Sequence, residues 1–524
     1  MVGLASDAAA VALNAGKQPS VALEFLELGR GVLAASLEEL RTDVSELRQR
    51  YPELAEKFIR LRNELDLPVV NNTLILNEDP TSSSWQAQAN RRYEAGNELD
   101  ELVADIRTRP GLDDFLCAPS EEETRAAARW GPIVIINVSE YRCDAILVEQ
   151  HQIRSLALPD LNSTDIKTKA QMGDLGRIGV LEWLWNVVAG PVLGALGFTE
   201  PPNEDWPHVW WIPTGALSRF PLHAAGYHSK PSTEAVLDRV MSSYSSSIRA
   251  SIHGRRRRHR GLQSTPTQAL LIAMENTPEH SRLPSTTKEI SMLHRLCESM
   301  GLQPVEPKRC KQDVLACLSD CQIFHFAGHG HADSADPSQS YLLLDDWQSD
   351  QLTVASLLET NLRDHPPFLA YLSACGTGRI RDERFVDESI HLISACQLAG
   401  FRHVIGTLWE VNDELCIDMA RITYEWMRDT DITDDSVCRG LHKATRELRG
   451  RWLDVLANRR GRSRSAAPDM HTAFAVGNGD NTRNASDGDR RDSSTWPRDV
   501  VLFDDDDDEG AGPLLWVPYV HFGI

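Results

Sequence analysis

From Ile133 onward, short apolar runs rich in β-branched residues alternate with amphipathic stretches of helical period, and this alternation restricts the chain to an α/β sheet. Ile133-Val-Ile-Ile-Asn-Val138 and Ala145-Ile-Leu-Val148 read as paired strands separated by polar turn residues. Trp210–Gly215, Ala269–Met274, Gln322–Phe326, Phe368–Leu372 and His403–Trp409 follow as further strands. Leu181–Val188 and Thr286–Met300 read as helices, the latter with Ile290, Leu293 and Leu296 facing inward. Near-continuous apolar strands separated by helices predict a mostly parallel sheet covered on both faces.

The first hundred residues differ in character. Leu33, Leu37, Leu40, Val44 and Leu47 recur in steps of four and three, and Leu54, Phe58, Leu61 and Leu65 repeat the pattern. Trp85–Arg107 offers another stripe through Tyr93, Leu99, Leu102 and Ile106. The Ala-rich pairing near Ala9–Gly29 is similar to the end of a tetratricopeptide array, without a full 34-residue repeat. At the far end, residues 461–512 are polar, rich in Gly, Ser, Asn, Asp and Arg, and include the acidic run Asp504–Glu509. They predict a disordered insertion. Leu514–Phe522 returns as a final strand. Gly254–Gly261 reads as a basic loop, and Val180–Phe198 as a buried helix broken near Gly190-Pro191 rather than a membrane span, because of Glu182.

The net charge of −22 argues against nucleic-acid binding, which requires a cationic surface. Met1–Asp7 carries no basic segment followed by an apolar one, so no secretory signal is expected. The ten cysteines lack CxxC pairs and framework spacing, and reduced thiols in an intracellular, cytoplasmic protein are expected, a nuclear placement being the other option. No membrane, cofactor or metal is expected.

Two strand ends concentrate the chemistry: His325-Phe-Ala-Gly-His-Gly-His331 and Leu372-Ser-Ala-Cys-Gly-Thr-Gly378. Each runs an apolar strand into a glycine-bearing turn with a reactive side chain at its tip, and open α/β sheets form sites at the carboxyl ends of strands. A thiol needs a base to become a thiolate, and an imidazole on a neighbouring strand end supplies one. The N–H groups of Gly330 and Cys375 would hold an oxyanion. One rival is metal chemistry, because His329-Gly-His331-Ala-Asp333 imitates the HxHxD start of metallo-β-lactamase-like hydrolases; Ser334 stands where that motif has His, and later ligand strings are missing. Cys317 and Cys321 lie one helical turn apart without zinc-like partners, and Cys143, Cys396, Cys416 and Cys438 sit in contexts suited to burial.

Together with Leu398-Ala-Gly-Phe-Arg-His-Val-Ile-Gly-Thr-Leu-Trp-Glu-Val-Asn-Asp413 and Trp516–Gly523, these strings resemble the CHAT domain. That family is related to caspases and separases and often follows tetratricopeptide repeats. The resemblance implies a caspase-like, mostly parallel α/β sheet over residues 126–524, preceded by a helical, tetratricopeptide-like remnant over 1–125. It implies a cysteine peptidase with Cys375 as nucleophile and His329 as base, His325 and His331 serving packing or orientation. In separase-like relatives an acid after the Leu-Trp strand receives a basic side chain, which makes Asp413 the S1 candidate; the other reading has Asp413 capping the helix that follows. Some relatives carry an acid two residues before the nucleophile, where this chain has Ser373. The expected partner is a protein or peptide substrate, with a regulatory protein recruited through the helical segment. The alternative is a catalytically silent scaffold or signalling module on the same fold. With a basic S1 pocket, Arg255–Arg258 becomes an internal cleavage candidate, set against a solvated basic loop or nuclear-import patch.

Overall fold

The computed structural model describes residues 3–29, 45–66, 82–110, 112, 115–116, 119–229, 232–257, 267–333, 336–360, 362, 366–374, 376–378, 391–465 and 514–524. Its centre is an 11-stranded sheet. The strands are β1 (Ile133–Asn137), β2 (Asp144–Val148), β3 (Ile153–Ala157), β4 (His208–Pro213), β5 (Met241–Tyr244), β6 (Gln268–Ala273), β7 (Gln303–Val305) and β8 (Cys321–Gly328). After β9 (Gly330–His331), β10 (Tyr341–Leu342) and β11 (Leu352–Thr353), which form a small sheet of their own, come β12 (Leu369–Ala374), β13 (His403–Thr407) and β14 (Tyr519–Gly523). The spatial order is β3-β2-β1-β4-β5-β14-β13-β12-β8-β6-β7. Every neighbouring pair is parallel except β3–β2, β2–β1 and β14–β13.

The mostly parallel α/β sheet predicted from sequence is therefore present, and its apolar strands are buried on both faces. Side chains alternate across a strand: Leu369 and Tyr371 of β12 enter one core, Ala370 and Leu372 the other. The first core is covered by helices Pro284–Ser299, Asp413–Asp429 and Asp434–Ser465. The second is covered by Ser163–Met172, Lys311–Leu318, Leu392–Ala399 and the helical run from Ile178 to Ala195. That run is long and apolar enough to cross a membrane by composition, but half of it is buried against the sheet. It is α-helical, then π-helical over Trp185–Ala189, then α-helical again from Gly190. Pro191 has no N–H to donate and crowds the carbonyl four residues back, so the wider turn lies where the expected break was.

The last strand in the sequence lies in the middle of the sheet. β14 pairs antiparallel with β13 over five residues and parallel with β5 through Phe522 and Tyr244. Sequence patterning identified it as a strand but not as the one that joins the two halves. The helix Asp434–Ser465 precedes it and runs through the first residues of the segment expected to be an insertion; residues 466–513 lie outside the described residues.

The N-terminal region is helical. Helices Leu4–Asn14 and Pro19–Gly29 pack on the sheet, with Ala9, Leu23 and Leu26 against Ile133, Ile135 and Trp210. Asn137 donates to the Ser6 carbonyl (3.0 Å), and the Glu27 carboxylate accepts from the Ile248 and Arg249 amides. Helices Ser45–Arg50, Pro52–Asp66 and Ser82–Arg107 form a separate small core around Phe58, Leu61, Leu102 and Ile106. Leu33, Leu37, Leu40 and Val44 lie outside the described residues. Tyr93, placed on or near an inward stripe by periodicity, is 73% exposed.

Gly254–Arg257 belongs to the helix Ile248–Arg257, not to a loop. Arg255 is buried, with its guanidinium 4.3 Å from the Trp210 ring centroid, an arrangement that desolvates the cation against an aromatic face. This corrects the reading of Arg255 as an exposed cleavage point; Arg258 lies outside the described residues.

Because β14 welds the sheet, a charge there should be intolerable. Val520→Asp buries an unpaired carboxylate at a position 1% exposed and is expected to cost at least ~3 kcal/mol. Val455→Asp, at a position 50% exposed, should change stability by less than about 0.5 kcal/mol. Urea denaturation of both variants checks the contrast, and equal midpoints would contradict this account of β14.

Candidate active site

β8 and β12 are adjacent and parallel, and their register ends with Ser373 opposite Ala327 and Ala374 opposite Gly328. The residues that next precede His329 and Cys375 in the chain therefore lie side by side at one edge of the sheet. Cys375 itself lies outside the described residues.

His329 is only 4% exposed. Its Nε2 is 2.9 Å from the carbonyl oxygen of Ser281. A carbonyl only accepts, so in the neutral ring Nε2 carries the proton and Nδ1 the lone pair. Ser281 lies in the turn between β6 and the helix Pro284–Ser299. The neighbouring His280 ring packs on His329 at 5.2 Å and on Trp347 at 5.3 Å. Burial lowers the pKa of the His280 imidazole, against an opposing contribution from Glu279. The Trp347 indole donates to the Pro278 carbonyl (3.1 Å), pinning the same turn. Ser281 is thus a positioning group that sequence reasoning missed, because nothing in a string 48 residues from His329 marks its carbonyl.

The segment after β12 is tied to the end of β13. Gly376 adopts φ +63, a left-handed conformation that favours glycine. Its N–H donates to Thr407 Oγ1 (3.1 Å), and that hydroxyl donates to the Ala374 carbonyl (2.7 Å). Thr377 Oγ1 accepts from the Thr407 amide (2.8 Å), and the Gly378 amide donates to the Thr407 carbonyl (2.8 Å). A Cβ on Gly406 would come within 2.5 Å of Thr377 Oγ1, so the two motif strings interlock through small residues. Both threonines stand inside the strings used for recognition, which is the signal that was available for them.

The other predicted residues have partners of their own. Gly330 pairs with Leu342 in the small sheet, and His331 packs its ring on Tyr341 at 4.8 Å. His325 is fully buried in the helix-covered core, where its Nδ1 meets the Tyr424 hydroxyl (3.1 Å) and its Nε2 the Glu289 carboxylate (3.0 Å). His325 is packed and hydrogen-bonded within that core. Ser373 is fully buried on β12. Asp413 is 4% exposed, and its Oδ2 accepts from the Ser285 amide at 2.9 Å, in the first turn of the helix Pro284–Ser299. The cap of the following helix is Asn412, which accepts from the Glu414 and Leu415 amides. Asp413 therefore caps a different helix from the one expected, and the same segment, Leu283–Ser285, adjoins Ser281.

No curated protein matches the chain. Among solved structures it is similar to the Arg-specific cysteine proteinase gingipain R, at 12% identity and TM-score 0.35 over 53% of this chain and 71% of that one. It is also similar to the complex of the RgpB pro- and mature domains from Porphyromonas gingivalis, at 12% identity and TM-score 0.34 over 50% of this chain and 66% of that one. A chain of the Saccharomyces cerevisiae separase–securin complex matches at 13% identity and TM-score 0.35, covering 90% of this chain and 27% of that one. Likenesses at this level assign no activity. The family model of the CHAT domain matches residues 179–523, more than half of the chain; it takes in both strand-end strings and every strand from β4 to β14, and the chain belongs to the CHAT domain family.

Proposed function

We propose that the protein is a cysteine endopeptidase in which Cys375 is the nucleophile and His329 the base. The observation that carries the reading is the side-by-side register of Gly328 and Ala374, joined to an imidazole whose Nε2 is spent on the Ser281 carbonyl. His329 Nδ1 takes the thiol proton, and the sulfur attacks the peptide carbonyl carbon. The amides of Gly330 and Cys375 stabilise the oxyanion. The C–N bond breaks as His329 returns its proton to the leaving amine, leaving a thioester. Water, deprotonated by the same imidazole, attacks the thioester and releases the carboxylic acid and the thiol.

Asp413 is proposed to give a preference for a basic P1 side chain; Ser373, the other substrate-binding candidate, is uncharged where some relatives carry an acid. The Asp413 carboxylate stands near the turn that holds His329, because Ser285 and Ser281 belong to one short segment. Its bond to the Ser285 amide both fixes the carboxylate and uses part of its accepting capacity.

A peptidyl electrophile that alkylates only an activated thiol separates catalysis from the scaffold alternative. The wild type should be labelled and Cys375→Ser should not, and His329→Ala should label ~10²–10⁴-fold more slowly. Equal labelling of wild type and His329→Ala, or none in either, would leave the silent scaffold as the function. For specificity, Asp413→Asn keeps an acceptor for the Ser285 amide while removing the charge. Cleavage after Arg or Lys should fall at least ~10-fold relative to a neutral P1 residue, a change of about 1.4 kcal/mol. An unchanged Arg-to-neutral ratio of kcat/KM would remove Asp413 from the specificity pocket.

A further inference from the structure

Under the helix Asp434–Ser465, four polar side chains from four elements converge on one face of the sheet. His208 opens β4, Ser243 lies on β5, His521 on β14, and Cys438 on the helix itself. His208 Nε2, His521 Nδ1 and Cys438 Sγ all lie within 4.8 Å of one another. Ser243 Oγ is 2.6 Å from each of the two ring nitrogens and 3.6 Å from the sulfur. The sulfur is 3.3 Å from His208 Nε2. Ser243, Cys438 and His521 are buried, and His208 is partly exposed.

Groups behind His521 dictate how its ring presents itself. Asp434 Oδ1 faces His403 Nε2 at 2.9 Å, and His403 Nδ1 faces His521 Nε2 at 3.1 Å. A carboxylate accepts, so His403 carries its proton on Nε2 and accepts on Nδ1 from the Nε2–H of His521. The lone pair of His521 is then on Nδ1, aimed at the cluster. A carboxylate relayed through a hydrogen-bonded ring is the kind of outer support that fixes the tautomer of a metal-bound imidazole. His208 is held from the side by stacking on Trp210 at 3.7 Å. None of these residues belongs to the proposed peptidase site, and the fully buried Ser243 hydroxyl has no route to a polypeptide.

We propose that His208 Nε2, His521 Nδ1 and Cys438 Sγ bind one thiophilic divalent cation of the zinc type, with Ser243 Oγ or a water completing four-fold coordination. Two imidazoles and one thiolate match the donor preference of zinc. Its bonds of about 2.0–2.3 Å require the three ligands to close in by about 1 Å. On binding, the Cys438 thiol loses its proton to solvent and the sulfur coordinates as thiolate. The ion would clamp β4, the helix Asp434–Ser465 and β14 together, joining segments that precede and follow residues 466–513. The competing arrangement is a plain hydrogen-bonded cluster, His208 to Ser243 to His521, in which the thiol stays protonated.

The full-length chain, purified without chelator, should carry about one zinc per chain by elemental mass spectrometry. Exchange into cobalt(II) should give a thiolate-to-cobalt charge-transfer band and the intense visible absorption of a tetrahedral site. Cys438→Ser should lose that band, and both Cys438→Ser and His521→Gln should retain less than roughly a fifth of the zinc. His331→Ala should keep its zinc, which separates this cluster from the His329-Gly-His331-Ala-Asp333 string. Less than about a tenth of a zinc per wild-type chain with no thiolate band on cobalt addition would overturn the proposal. So would full zinc content in folded Cys438→Ser. Should the variants misfold, the cobalt spectrum of the wild type decides by itself.

Discussion

The antiparallel pairing of β14 with β13 is the interaction on which the architecture rests. On one side of it, β1, β4, β5 and β14 run together; on the other, β13, β12, β8, β6 and β7 run together in the opposite sense. Neither block alone buries the edge strand that faces this seam, and an open edge exposes a row of unpaired amides and carbonyls. The five register pairs between His403–Thr407 and Tyr519–Gly523 satisfy those groups and align the two blocks. The strand that completes the core is thus the last one in the sequence.

The candidate active site inherits its precision from the same strand of the seam. β13 ends at Thr407, and the hydroxyl, amide and carbonyl of that residue hold Ala374, Thr377 and Gly378. His329 follows the neighbouring strand, its Nε2 facing a carbonyl from a turn that also starts the helix capped by Asp413. The ends of β8 and β13 and the segment Ser281–Ser285 therefore support the His329 imidazole, the turn Gly376–Gly378 and the Asp413 carboxylate. In the proposed peptidase, rigid support of this kind would let a Cys–His dyad operate without reorganising as charge develops.

Family membership and site chemistry are separate conclusions. The domain match identifies the chain's family, whereas peptide hydrolysis follows only if the thiol beside Ala374 is activated by His329. The buried histidines illustrate why the distinction matters. His325, His403 and His521 are all sequestered in one helix-covered face and engaged with partners there, so a histidine near a motif is not by itself a catalytic group.

Periodicity and turn chemistry carried far in this chain, because they are local. Alternating apolar runs identified β1, β2, β4, β6, β8, β12 and β13, and the glycine-bearing strand ends marked His329 and the turn after Ala374. Tyr93 failed because a helical stripe does not say how wide the buried face is. Arg255 failed because a run of arginines reads as solvated until a Trp210 face is brought to it. Ser281 as the partner of His329, Asp413 as the cap of a distant helix, and the meeting of His208, Cys438 and His521 have no signature in spacing. They arise when segments far apart in order are brought into register, and strand order and register are set by the closing of the whole core. The sequence by itself determined which segments become strands and which residue types stand at their ends; only the tertiary structure decided which of those ends face one another.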